Sequence, residues 1–170
     1  MVTKIKIECY ICRKFGPDMI KNCSHPFSDL LEQILEHCPP LRDKKKDLLL
    51  ILSELYRNAL EHGVLELTAV PNNDLNTIEK YFIEKKRAID NLRSGWIKIC
   101  LNFKQFFKNG NIVIKIEDSG NGFDYRPENE FVQDSITPNG RGIILVKSLC
   151  NELEFFGNGN TVQAVYCFDL

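Results

Sequence analysis

Net charge, long apolar runs and internal repeats are all missing from this sequence, and each absence removes a class of function. The 22 Lys and Arg residues face 23 Asp and Glu, for a net charge of −1 and an isoelectric point near 6.3. That balance argues against a nucleic-acid-binding surface. No apolar stretch approaches the roughly 20 residues that a membrane-spanning helix needs, and the N-terminus lacks the apolar core of a signal peptide. No repeat or low-complexity tract interrupts the chain, so its 170 residues form one domain large enough to bury a substantial core. Seven cysteines, an odd number scattered through apolar patterns, fit reduced thiols better than a disulfide framework. A cytoplasmic protein with no nucleic-acid or membrane partner is the expectation.

What is present is concentrated in the stretch from Leu48 to Gly63. Apolar residues at Leu48, Leu49, Ile51, Leu52, Leu55 and Ala59 recur at the spacing of one helical face. Glu54, Asn58 and His62 stand at i, i+4 and i+8 and make a second, polar stripe on the same helix. An amide oxygen there can ligate Mg²⁺, which prefers hard oxygen donors and takes few of them from protein. A carboxylate one turn away can orient or deprotonate an attacking hydroxyl. Taken alone, the same stripe also describes a half-exposed polar face.

Two later motifs give the stripe its context. Asp118-Ser119-Gly120-Asn121-Gly122 follows the strand-like NIVIKIE, and Gly140-Arg141-Gly142 opens a second apolar helix pattern, IILVKSL. The ordered set E-x-x-x-N-x-x-x-H-G, D-x-G-x-G, G-R-G-I resembles the Bergerat-fold ATPases, the GHKL superfamily. It is most similar to the anti-sigma-factor serine kinases and to the kinase-like domains of phosphatase-linked response regulators. The resemblance runs from about Phe27 to Leu170, and each motif is weak alone but specific in this order. It implies an α/β sandwich with a mixed, largely antiparallel sheet covered by helices on one face. It also implies ATP and Mg²⁺ as cofactors, and an anti-sigma-antagonist protein as substrate, with a sigma factor as a further partner and a homodimer left open. Glu54 is then the catalytic base and Asn58 the Mg²⁺ ligand. Asp118 with Gly122 and Thr161 reads adenine, Gly120 and Gly122 permit close backbone approach, and Gly140 and Gly142 turn backbone amides toward phosphates at a helix start. Arg141 reaches a phosphate or is a plain surface residue, and His62 stands near the phosphates or serves packing.

The remaining segments frame that site. Residues 1–26 carry the strand-like TKIKIECYI, and Cys9, Cys12, Cys23 and His25 could supply zinc ligands, although small buried thiols explain them more simply. Phe27, Leu30, Leu31, Ile34, Leu35 and Cys38 share a helical stripe, with Ser24 as candidate cap and Pro39-Pro40 as stop. Asp43 is the candidate start of the central helix, and the lysines after it read as a solvated first turn. Residues 64–95 read as a helical insertion with a narrow stripe of Ile78, Phe82, Ile89 and Leu92, lying over the sheet. WIKICLNF and NIVIKIE alternate as an antiparallel hairpin turning at Asn109-Gly110. Residues 123–139 lack periodicity and are expected to form a lid over the triphosphate. A second hairpin, turning at Gly157-Asn158-Gly159-Asn160, closes the chain. Three other classes stay open: a binding module that sequesters a sigma factor or antagonist, an ATP-hydrolysing conformational machine, and a histidine kinase's catalytic domain.

Overall fold

The computed structural model describes residues 7–67, 75–123 and 140–169. Among the described residues five strands form one sheet in the order β1-β2-β3-β5-β4, with β1 at Ile7–Phe15, β2 at Ile97–Gln105, β3 at Asn109–Asp118, β4 at Glu152–Phe156 and β5 at Thr161–Asp169. Every pairing among them is antiparallel. Along β2, Ile97, Ile99, Leu101 and Phe103 are buried while the residues between them are half-exposed. That is the period-two pattern of a sheet covered on one face. Ile112, Ile114 and Ile116 on β3, with Val162, Ala164, Tyr166 and Phe168 on β5, continue the same buried face.

Helices α2 (Ser28–His37), α3 (Lys45–Asn58) and α5 (Gly140–Leu149) supply the covering layer. The stripe expected on α2 is buried throughout, from Leu30 to Leu35, with Phe27 and Cys38 buried at its flanks. On α3, Leu48, Ile51, Leu52 and Leu55 meet the sheet, and Tyr56 joins them. Two helix starts differ from expectation. Helix α2 is preceded by a turn in which Ser28 N–H donates to the His25 carbonyl, so Ser24 lies outside it and caps nothing. Pro39-Pro40 set the φ values of a 3₁₀ turn over Pro39–Lys44 that runs directly into α3. Asp43 therefore sits inside that turn, and α3 begins at Lys45 without a side-chain cap. The lysine run is solvated as expected, with Lys45 paired to Glu32 at 2.5 Å.

A short helix, α1 (Pro17–Asn22), follows β1 where the sequence pattern suggested none. The inserted helix α4 (Leu75–Asn91) packs against α1. Phe82, assigned to its apolar stripe, points outward at 60% exposure. Ile78 and Ile89 are half-buried and Leu92 is buried as expected, and polar groups add to them: the Tyr81 hydroxyl donates to Glu61 at 2.5 Å, and Lys85 reaches the other Glu61 oxygen at 2.6 Å. The first hairpin turns through residues 106–108, because Asn109 and Gly110 already belong to β3 and Gly110 lies opposite Gln105. The second turns at residues 157–160 as expected, with positive φ at Gly157 and Gly159.

Cysteine usage also departs from expectation. Cys12 and Cys100 stand opposite each other in the β1/β2 register and are joined by a disulfide, S–S 2.06 Å. Three of the four candidate zinc ligands are drawn to separate places, Cys12 into that bond, Cys9 against Cys38 and His25 edge-on against Phe27, and the fourth, Cys23, is exposed. No described helix is long and apolar enough to cross a membrane.

Candidate functional site

Helix α3 does not end where its hydrogen-bond pattern first changes. Residues Ala59–Val64 continue it as one π-helical turn, a wide turn often found at functional sites. This carries His62 and Gly63 up to the end of β3, where Asp118 emerges. The two meet closely: a Cβ on Gly63 would lie inside the Asp118 carboxylate, and one on Gly120 would strike the Gly63 carbonyl. Glycine at 63 and 120 is thus required by contact. The H-G and D-x-G-x-G motifs are two halves of one packed junction.

Around that junction lies a cavity of about 260 Å³. Its size is near the lower end of the roughly 300–1,000 Å³ usual for small-molecule sites. Leu55, Ile116, Ile143, Phe155 and Val162 make apolar walls; Asn58, His62, Asp118, Asn160 and Thr161 bring polar groups to it. Phe123 meets Phe155 edge to face at 5.0 Å on one side. An apolar slot with a few convergent polar atoms suits a planar heterocycle that must be both buried and identified.

Asp118 is the best-braced of these groups. Its Oδ1 accepts the Gly120 N–H at 2.8 Å, its own N–H donates to the Asn160 carbonyl at 2.9 Å, and Asn160 Nδ2 donates to its carbonyl at 3.0 Å. Ser119 ties the same loop to Trp96 through two bonds, N–H to carbonyl at 3.0 Å and Trp96 N–H to Oγ at 2.9 Å. Gly122 holds φ +74° where a side chain would collide with the Asn158 carbonyl. Asp118 Oδ2 has no partner among the described residues and remains to accept a hydrogen bond from a ligand. Burial, at 8% exposure, pushes the carboxyl up to about 6; the Gly120 N–H opposes the rise and neighbouring Glu117 adds to it.

The other expected site residues divide into two groups. Asn58, His62, Asp118, Gly122 and Thr161 share the cavity. His62 Nδ1 lies 3.1 Å from the Leu67 carbonyl. A carbonyl only accepts, so in this bond Nδ1 is the donor and Nε2 is left for other partners. The Asn58 carboxamide has no bonding partner among the described residues. It fits an Mg²⁺ ion that takes one or two protein oxygens and fills its shell with phosphate and water. Glu54 does not line the cavity. Its carboxylate is held beside the cavity at the first turn of α5, against Gly142 and in an ion pair with Arg57. Arg141 is exposed on the same turn. The expected lid lies outside the described residues except for Phe123.

Asn160, which locks Asp118, and Arg57, which holds Glu54, were not singled out from the sequence. Asn160 stood in the sequence only as part of the expected GNGN turn, and Arg57 was given no role there. Only the β3/β5 pairing and the α3/α5 contact give them roles.

A helix-covered antiparallel sheet with this pocket between two helices and the end of a central strand defines an α/β sandwich with a small-molecule pocket. A family model for the histidine kinase-like ATPase domain matches residues 24–166, and the chain belongs to that family. No curated protein matches the chain. Membership of that family supports ATP as the ligand of this chain. The Gly63 junction gives a first prediction. Gly63→Ala must push the Asp118 carboxylate aside, so it should cost about 1–3 kcal/mol of stability and weaken ATP in the same protein. Thermal melts and ATP titrations check both; wild-type ATP affinity would mean Asp118 need not hold its place.

Proposed function

We propose that the protein is an Mg²⁺-ATP-dependent serine protein kinase of the anti-sigma type. Its substrate would be a serine hydroxyl on an anti-sigma-antagonist protein, in a partner-switching pathway in the cytoplasm. The observation that carries this reading is Glu54, a largely shielded carboxylate one turn before Asn58 and next to the first turn of α5. Asp118 Oδ2 would accept a hydrogen bond from the exocyclic amine of adenine, with Thr161 beside it. Asn58 would hold the metal, whose contribution is to neutralise charge on the phosphates. Glu54 would orient the serine hydroxyl and take its proton as the new O–P bond forms and ADP leaves. Positioning and charge neutralisation dominate such a transfer.

A second reading is a binding module that uses nucleotide only as a conformational ligand to sequester a sigma factor or an antagonist. The ion pair between Glu54 and Arg57 favours it, because a carboxylate oxygen already engaged by a guanidinium is less free to meet an incoming hydroxyl. Single-turnover assays with labelled ATP and antagonist proteins from the same genome decide between them. Binding of both ATP and partner without transfer would leave the sequestering module.

Metal dependence is a separate expectation. ATP affinity should fall clearly when a chelator is present, because protein groups alone leave the triphosphate charge largely unneutralised. Calorimetry in the two conditions measures it, and equal affinities would remove Asn58 from the metal role.

A further inference from the structure

Two carboxylates on the last turns of α3 are shielded from water, and each has its own cation. Glu61 is buried and is held by Lys85 and the Tyr81 hydroxyl, both from α4. Glu54, with its side chain 14% exposed, is held by Arg57. The Tyr81 hydroxyl is kept protonated by burial and by its bond to Glu61, and the nearby Arg57 charge works against that. Arg57 itself stands on α3 beside the first turn of α5. Its guanidinium is engaged with Glu54, while Lys85 serves Glu61.

The placement of Glu54 creates an electrostatic difficulty. Its Oε2 lies where a Cβ on Gly142 would be, so an anion already occupies the flank of the α5 first turn. The partial positive charge of a helix N-terminus favours one anion there, and a polyphosphate brought to the same turn would be repelled by an uncompensated carboxylate. We propose that Arg57 is a positioning residue that neutralises Glu54 and fixes its orientation, so that a nucleoside triphosphate can be accepted beside it. Arg57 fastens Oε2, and among the described residues Oε1 has no partner; the pair thus leaves one oxygen for an incoming hydroxyl. This inference rests on the proposed use of ATP but does not require phosphoryl transfer.

An ordinary helical ion pair at i, i+3, with Arg57 45% exposed, makes a different forecast. Such pairs contribute little, and losing one changes little elsewhere. The test is a set of calorimetric titrations with Mg²⁺-ATP and with AMP on wild type, Arg57→Met, Arg57→Lys, Glu54→Gln and the Arg57→Met/Glu54→Gln double variant. Circular dichroism serves as the folding control. Arg57→Met should weaken ATP about tenfold, on the order of one charge–charge contact, and leave AMP unchanged. Arg57→Lys keeps the charge and should stay within about threefold of wild type. Glu54→Gln in the Arg57→Met background should restore ATP to near wild-type affinity, because the charge needing compensation is gone. A double variant as weak as Arg57→Met would show that Arg57 meets the phosphates itself. Unchanged affinity in Arg57→Met would show a surface pair. Either result overturns the proposal, and should Arg57→Met misfold, Arg57→Gln carries the same comparison. Wild type that binds AMP but not ATP also overturns it, whereas wild type that binds neither nucleotide fails the reading of the pocket.

Discussion

Asp118→Asn is expected to weaken ATP by about tenfold to a hundredfold while leaving the protein folded. A hydrogen bond to an ionised acceptor contributes roughly 1.5–3 kcal/mol, which sets that range. The substitution is informative because Asp118 uses its two oxygens differently. Oδ1 is committed to the Gly120 N–H, and an asparagine Oδ1 can accept the same bond. The new NH₂ group then replaces Oδ2 and presents a donor to the donor amine of adenine. Stability should move the other way. Burial raises the Asp118 pKa from 3.8 to about 6 in the folded protein, so the native state binds its proton more tightly than the unfolded chain does. Ionised Asp118 therefore costs stability above pH 6, by as much as about 3 kcal/mol, and the cost fades as pH falls from 6 toward 4. At pH 7.5 Asp118→Asn should melt no lower than wild type, with its advantage shrinking in acid. ATP affinity of wild type should in turn decline as pH drops through about 6, when Oδ2 gains a proton. Titrations and melts between pH 5 and 8 test all three. Unchanged ATP affinity in folded Asp118→Asn would reduce the DSGNG loop to a turn.

Much of this arrangement was legible because periodicity reports burial directly. Leu48, Ile51, Leu52 and Leu55 announce the inner face of α3, and the alternation through Ile97–Phe103 and Ile112–Ile116 announces two half-buried strands. The packed junction at the candidate site was legible through glycine. Gly63, Gly120 and Gly122 stand where chain segments touch too closely for a Cβ, and such positions leave a mark in sequence. What stayed hidden depends on which strand lies beside which. The Cys12–Cys100 bond needs the β1/β2 register, which places residues 88 positions apart side by side. Arg57 needs α5 docked against α3 before its partner Glu54 has any setting. Phe82 misled because an apolar residue at helical spacing was taken to face inward, whereas α4 is held by Tyr81 and Lys85 on Glu61. Asp43 misled because the tight turn set up by two prolines made a cap unnecessary.

Glu54→Gln should keep Mg²⁺-ATP affinity within a few-fold of wild type and reduce phosphoryl transfer by about a hundredfold to ten-thousandfold, the usual contribution of a general base. The geometry makes this substitution conservative in every respect except basicity. Glutamine has the same shape against Gly142, where there is no room for more, and its amide oxygen can still accept from Arg57. Asn58, one turn further along α3 and on the cavity, is untouched, so a metal held there remains. If Glu54 takes the serine proton, what disappears is the transfer step and not the binding that precedes it. A parallel loss of affinity and rate would instead make Glu54 part of nucleotide or metal binding. A rate within about twofold of wild type would make it structural, and the role of base would pass to another group near the α5 turn. Single-turnover transfer to the antagonist, measured beside ATP titrations of both proteins, separates the three results, because a general base alters the rate at saturating ATP while a binding residue is rescued by more of it.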